Sequence, residues 1–261
     1  MSQIKFLLKR TVLFAFIASL LLLASCAKKT TKSKEEMGFD ELKKNALVGL
    51  EQKKYDRAAE YLEKIVSKFP EHPDTPQHKL TLADTYFKME NYPSAERLYS
   101  HYSNYYPSDL KAEYAQYKAI RAQFYQTLRT DCDQTSTEQT ISLCKRYREN
   151  PTFTKYGKDV QEIQNTCEHK LINKEIYVYN FYLKHKEYAA AQGRLNYLKD
   201  NYLTQKKSLE PRVLYLECKL AQKQKKATIL EEKLEQLVSK YPKSQYTRMA
   251  QSLATRGKFR F

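Results

Sequence analysis

Tryptophan is absent and glycine is scarce: 261 residues hold only 5 glycines, Gly38, Gly49, Gly157, Gly193 and Gly257. No two of them fall into G-x-G-x-x-G or G-x-x-x-x-G-K spacing, which excludes the glycine-built cradles that wrap nucleotide phosphates. A G-x-S-x-G nucleophile elbow fails for the same reason. Histidine is equally thin. The five, His72, His78, His101, His169 and His185, include no H-E-x-x-H and no pair four residues apart, so no helix carries the two imidazoles of a zinc site. His72 and His78 flank a proline-bearing turn and read as solvated turn residues. After Cys26 come Cys132, Cys144, Cys167 and Cys218 with no C-x-x-C, which speaks against a zinc ribbon or a thioredoxin-type site. Cys144 and Cys167 could pair if adjacent helices aligned them, but buried thiols are the favoured reading. With no nucleophile–base pair to name, the expectation is a non-enzyme without catalytic residues, metal or cofactor.

Long apolar runs are also missing, with one exception. Thr11 to Leu23 is a short apolar stretch behind the cations Lys5, Lys9 and Arg10, the pattern of a secretory signal. It ends in Leu23-Ala24-Ser25-Cys26, which resembles a bacterial lipobox. A lipidated Cys26 would become the first mature residue and hold the chain on a membrane through its acyl chains, each buried CH₂ contributing about 0.8 kcal/mol. Ala27 follows the cysteine in place of an aspartate; in Gram-negative lipoproteins that choice goes with outer-membrane sorting. The expected organisation is a signal peptide over 1–25, a lipidated tether over 26–37 and one folded domain over 38–261.

What the chain has in quantity is Lys, Leu, Glu, Gln and Ala, the residues of helices, together with 22 tyrosines and a net charge of +16. So basic a chain would ordinarily suggest nucleic acid. Export argues against that partner and for an acidic protein or anionic headgroups.

The helical pattern repeats. Ala46, Tyr55, Ala58 and Pro70 recur as Ala83, Tyr92, Ala95 and Pro107, each displaced by 37. The period and composition resemble the tetratricopeptide repeat, a helix–turn–helix whose second helix stops at proline. Small residues let the paired helices approach, Tyr55 and Tyr92 fill the space beside the turn, and Leu62, Ile65, Tyr99 and Tyr102 pack on the next repeat. Lys186-Glu-Tyr188-Ala-Ala-Ala191 repeats the turn, and Leu237-Val-Ser-Lys-Tyr241-Pro242 echoes Ile65-Val-Ser-Lys-Phe69-Pro70. A helix over Glu113–Leu128, a polar loop over Arg129–Ser136, a helix over Thr137–Glu149 and a long one over Gly157–His185 fill the middle. The fold class expected is all-α, a solenoid of about five helix pairs, which offers an extended groove in place of a catalytic pocket.

A lipobox followed by such pairs resembles the BamD family, tetratricopeptide-repeat lipoproteins of the outer-membrane β-barrel assembly machinery. Three segments carry the likeness: Tyr55-x-x-Ala58 through Phe69-Pro70; Asp131-Cys132-Asp133-Gln134-Thr135, similar to the family's Asp-Arg-Asp-Gln segment; and Tyr177-x-Tyr179-x-x-Tyr182-Leu183 ahead of Tyr188. Cys132 stands where arginine is usual, Asn150-Pro151-Thr152 stands where Tyr-Pro-x-Ser is common, and the last pair has Ala227-Thr228-Ile229-Leu230 in place of the Tyr-x-x-Ala turn. The resemblance implies an outer-membrane lipoprotein on the periplasmic face. Its carboxy-terminal pairs would dock on a BamA-like insertase beside other assembly subunits, and its amino-terminal pairs would receive unfolded outer-membrane proteins. A pilotin-like lipoprotein escorting a pilus secretin is the alternative.

Two surfaces follow. Mapping the repeat places Leu47, Leu50, Leu80, Asp84 and Phe87 on the groove side of the first two pairs, where apolar side chains would suit a hydrophobic peptide unless a loop or the tether covers them. The carboxy-terminal half carries a run of cations from Lys206 to Arg260, Arg248 and Arg256 among them, read either as a solvated face or as the insertase docking surface.

Overall fold

The computed structural model describes residues 36–258, with side chains as far as Thr255. Cys26, the signal peptide and most of the tether lie outside the described residues, as does the side chain of Arg256. Among the described residues eleven α-helices run in chain order: α1 (Phe39–Glu51), α2 (Tyr55–Lys68), α3 (Thr75–Lys88), α4 (Tyr92–Tyr105), α5 (Ala112–Tyr125), α6 (Thr135–Glu149), α7 (Gly157–Lys184), α8 (Tyr188–Leu198), α9 (Glu210–Lys223), α10 (Ala227–Lys240) and α11 (Gln245–Lys258). They form five antiparallel pairs and a closing helix, so the all-α solenoid expected from the sequence is what the chain builds. Met37, assigned to the tether by its sequence position, is buried against the first pair, and its carbonyl accepts from Lys68 Nζ at 3.1 Å. The fold therefore starts ahead of Gly38.

The interior is a row of clusters instead of one centre. Leu42, Leu62, Ile65, Leu80, Leu98 and Tyr99 fill the first two pairs. Ile120, Leu143, Tyr147 and Val160 fill the middle; Ile172, Tyr179, Leu195 and Leu216 the fourth pair; Leu214, Leu237 and Ala250 the end. Each repeat thus buries its apolar stripe only against its neighbours. Close approach inside a pair depends on small residues. A Cβ on Gly49 would sit 3.1 Å from the Cβ and backbone nitrogen of Ala58, so the first pair needs glycine as well as Ala46 and Ala58.

Four of the five pairs share one turn. Lys53, Glu90, Lys186 and Lys225 take positive φ, between 56° and 64°, and the next amide donates back across the helix end. Those bonds are Lys54 to Gly49 at 2.8 Å, Asn91 to Tyr86 at 2.9 Å, Glu187 to Tyr182 at 3.0 Å and Lys226 to Ala221 at 2.9 Å. The last pair, which lacks the Tyr-x-x-Ala pattern, makes the same turn because backbone hydrogen bonds carry it. Second helices end alike too: Phe69, Tyr106 and Tyr241, each ahead of a proline, leave the helix at φ −126°, −126° and −134°, as the proline ring requires of its predecessor. Thr75 and Thr247 then donate their hydroxyls to the carbonyls of Phe69 and Tyr241.

The third pair departs. Residues 126–134 form an ordered loop: Gln134 Nε2 donates to the carbonyls of Arg129 at 2.8 Å and Cys132 at 3.1 Å, and Arg129 grips Asp131 with two bonds. Asp133 accepts from the Thr135 amide at 3.0 Å. That bond starts α6 at Thr135, two residues before the Thr137 expected. Cys144 and Cys167 are buried free thiols, and burial raises both thiol pKa values, Cys144 to about 12 and Cys167 to about 11.

His78 corrects its sequence reading. It is buried in α3, with its ring 5.5 Å from Phe39, and burial lowers its pKa below the ordinary imidazole value. Among the described residues no helix is long and apolar enough to cross a membrane, and no three ligand side chains gather to hold a metal ion.

Candidate peptide-binding groove

First helices of successive pairs, α3 and α5, lie with α4 behind them, and Asp84 joins all three. Its carboxylate accepts the hydroxyls of Tyr99 from α4 and Tyr114 from α5, both at 2.6 Å. Tyr99 is fully buried, and an unbonded hydroxyl there would cost about 1–3 kcal/mol. Burial first, and then the charge of Asp84 and the hydrogen bond to it, raise the pKa of both phenols, which keeps them protonated as donors. Asp84 is therefore the node that fixes the second pair to the third.

One turn along α3, Phe87 lies under two cations of α5. Lys118 Nζ stands 3.5 Å from its ring centroid and the Arg121 guanidinium 5.6 Å. Tyr92 and Tyr125 extend the aromatic surface, stacked on each other at 4.8 Å and edge-on to Phe87 at 5.4 and 5.8 Å. Arg121 is steadied by the Tyr125 hydroxyl at 2.8 Å. Lys118 has an ammonium pKa lowered by burial, with Asp84 opposing that shift from a distance. Neither cation forms an ion pair with a carboxylate among the described residues. A half-buried ammonium on an aromatic face, with no carboxylate paired to it, favours an incoming anion, and the rings beside it favour an apolar or aromatic group.

Two of the residues expected on the groove side, Asp84 and Phe87, lie one turn apart on α3 beside α5. Leu80 is a correction. It is 2% exposed, packed in the core of the first two pairs, because α3 turns its Leu80–Ala83 side inward and only the following turn faces the groove. Leu47 is 49% exposed and Leu50 half-buried on α1, and no described contact joins either to the Asp84–Phe87 surface. Phe87 is itself no free groove side chain, since it packs on Tyr99 as well. Sequence reasoning missed the α5 contribution. Tyr114, Lys118, Arg121 and Tyr125 recur at helical spacing, but Tyr114, Tyr117, Ile120 and Phe124 read as the apolar face. The structure buries Ile120 as expected, adds Ala115, Ala119 and Ala122 to the core, and leaves Tyr114 and Tyr117 partly buried at its edge. Arg248 is exposed on α11.

The family model described as YfiO, outer membrane lipoprotein, matches residues 35–230. An outer membrane protein assembly factor BamD from Rickettsia prowazekii (strain Madrid E) is 28% identical over 204 residues, covering 76% of this chain and 79% of that protein. Among solved structures, PilW, a type IV pilus biogenesis factor, aligns over 82% of this chain and 98% of its own at 12% identity and a TM-score of 0.29. A protein from Bacteroides ovatus described as a putative protein binding protein aligns over 85% and 98% at 14% identity and a TM-score of 0.24. Both scores are too low to bear on function. With three quarters of its length inside the family's boundaries, the chain belongs to the YfiO outer membrane lipoprotein family.

Proposed function

We propose that this protein is an outer-membrane lipoprotein scaffold of β-barrel assembly, held by lipid on Cys26 at the periplasmic face. It has no catalytic step of its own. Its amino-terminal groove receives segments of unfolded outer-membrane proteins, and its carboxy-terminal pairs bind a BamA-like insertase and companion subunits, with Arg248 and Arg256 on the docking side. Family membership and the BamD relative support the assembly role. The observation that carries the peptide-binding part is the Lys118–Arg121 pair on the Phe87, Tyr92 and Tyr125 rings. An extended strand segment with an aromatic residue beside a carboxylate matches that chemistry, the ring entering the aromatic surface and the anion meeting the cations.

The test uses a fluorescent peptide ending in phenylalanine with a free carboxylate, and the same peptide amidated. Binding to the purified chain should weaken by about tenfold on amidation and by a similar factor in Lys118→Gln. Equal binding of both peptides to wild type and variant would remove the groove from the proposal. Cys26→Ser should release the protein from the membrane fraction, and retention of that variant without an insertase present would remove the anchor.

A further inference from the structure

The two most exposed apolar side chains among the described residues stand at one connection. Leu110, in the turn between α4 and α5, is 101% exposed and Tyr105, at the end of α4, is 70% exposed, whereas no other large apolar side chain there exceeds 53%. Leu110 gains nothing from its own fold. Tyr105 is backed on one face by His101, stacked on it at 4.2 Å and 14°. Burial first, and then the charges of Lys79 and Arg97, lower the pKa of His101, so both cations lie beside the stack. Lys111, next to Leu110, is exposed and donates to the Gln77 side-chain oxygen on α3. The acid of the turn is already engaged: Asp109 accepts from the Lys111 amide at 2.7 Å and from the Tyr102 hydroxyl.

This turn shares its edge of the solenoid with the start of the fold. Lys68, at the end of α2, donates to the Met37 carbonyl at 3.1 Å, and Lys43 of α1 pairs with Asp74 ahead of α3 at 3.1 Å. Lys111, ahead of α5, reaches the first turn of α3 in the same way. Met37, the α2–α3 connection and the α4–α5 turn therefore lie side by side. Ten residues separate Met37 from Cys26, four of them lysine, a charge that favours an anionic leaflet. Eleven peptide steps cover at most about 40 Å, so a lipid on Cys26 keeps this edge within that distance of the membrane surface. The opposite edge, where the pairs turn at Lys53 and Glu90, stands one helix length, or about 20 Å, behind it.

We propose that the α4–α5 turn is a second membrane contact: Leu110 enters the phospholipid leaflet that holds the Cys26 lipid, Tyr105 lies at headgroup level, and Lys111, Lys79 and Arg97 meet the lipid phosphates. Patch size selects the occupant. One leucine and one tyrosine fall far short of the roughly 800 Å² that each partner contributes to a stable protein interface. An apolar tip, an amphipathic ring at the boundary and lysines behind them are instead the order in which side chains sort at a lipid surface. A chain already anchored needs little further area, because the lipid has brought the turn to the surface. Two attachment points on one edge also fix an orientation. Phe87 and Tyr125 stand at the far ends of α3 and α5, so the aromatic groove is held on the side away from the bilayer. The proposal rests on the lipid-anchor part of the proposed function.

The sequence has no tryptophan, so a single introduced one reports without background. The lipidated full chain is reconstituted in phosphatidylethanolamine–phosphatidylglycerol vesicles as Leu110→Trp and, at the opposite edge, as Leu128→Trp, with and without bromine on the acyl chains. Leu110 and Leu128 are both exposed, so neither change should shift the melting temperature. Brominated lipid should quench the Leu110→Trp emission at least about twofold, from a depth of about 5–10 Å, and leave that of Leu128→Trp unchanged. Lys79→Gln with Lys111→Gln in the same reporter should lower the quenching at low salt, and no change overturns the phosphate contact. Equal or absent quenching of the two reporters on vesicles that carry the protein overturns the membrane contact and leaves the anchor standing. A blue-shifted Leu110→Trp emission that ignores bromine means that protein covers the turn, and overturns it too. A wild-type chain that fails to float with the vesicles removes the anchor and the contact together.

Discussion

Replacing Asp84 with alanine removes the acceptor of two tyrosine hydroxyls at once, Tyr99 and Tyr114, each at 2.6 Å. Tyr99 is fully buried, so its hydroxyl keeps only the neighbouring Tyr114 hydroxyl as a partner, a loss of about 1–3 kcal/mol. Tyr114 is partly exposed and can turn to solvent, which limits its share to about 1 kcal/mol. The expected destabilisation is about 2–4 kcal/mol, or roughly 5–15 °C in melting temperature for a domain of this size. Asp84→Asn keeps an acceptor oxygen and should lose only about 1 kcal/mol. Urea titration of wild type, Asp84→Ala, Tyr99→Phe and the double variant isolates the pair, with a coupling of about 1–3 kcal/mol expected. If Asp84→Ala stayed within about 0.5 kcal/mol of wild type, or the two single effects simply added, the carboxylate would not be the node between α3, α4 and α5.

Gly49→Val should destabilise the first pair by about 1–3 kcal/mol in the same titration, since even its Cβ meets Ala58 backbone that cannot rotate away; an unchanged midpoint would show that α1 and α2 can separate freely. Lys186→Gly should stabilise by about 0.5–1 kcal/mol, because φ of 64° strains a residue with a Cβ, and a loss of stability would contradict the turn geometry. His78 has a lowered folded-state pKa, so the unfolded chain takes up its proton first and stability should fall as pH drops below about 6.5. Melting curves of His78→Gln between about pH 5 and 7 should show a flatter pH dependence than wild type; an identical slope would mean that another group titrates.

Much of the solenoid is legible because its signals are steric. Proline after Phe69, Tyr106 and Tyr241 ends three second helices wherever it stands, and paired alanines mark where helices touch. Other features hide for physical reasons. The four left-handed turn residues are Lys, Glu, Lys and Lys, not glycine, so the turn of the last pair leaves no mark in composition; the amides that close it belong to every residue type. Leu80 misled because it stands one turn before Asp84 at the same helical spacing, yet α3 buries the side that carries Leu80 and Ala83. The groove cations were invisible for a different reason. Lys118 and Arg121 look like any solvated pair in a chain with 46 Lys and Arg residues, and only the fold shows that aromatic rings, not carboxylates, stand beside them.

The assembly role is tested most directly by depleting the protein in its own cell and quantifying folded β-barrels in the outer membrane by their resistance to unfolding in cold detergent. The account expects folded barrels to decline and unfolded precursors to accumulate, with recovery on supplying the wild-type chain. Undiminished barrel levels, with only surface pili lost, would contradict it.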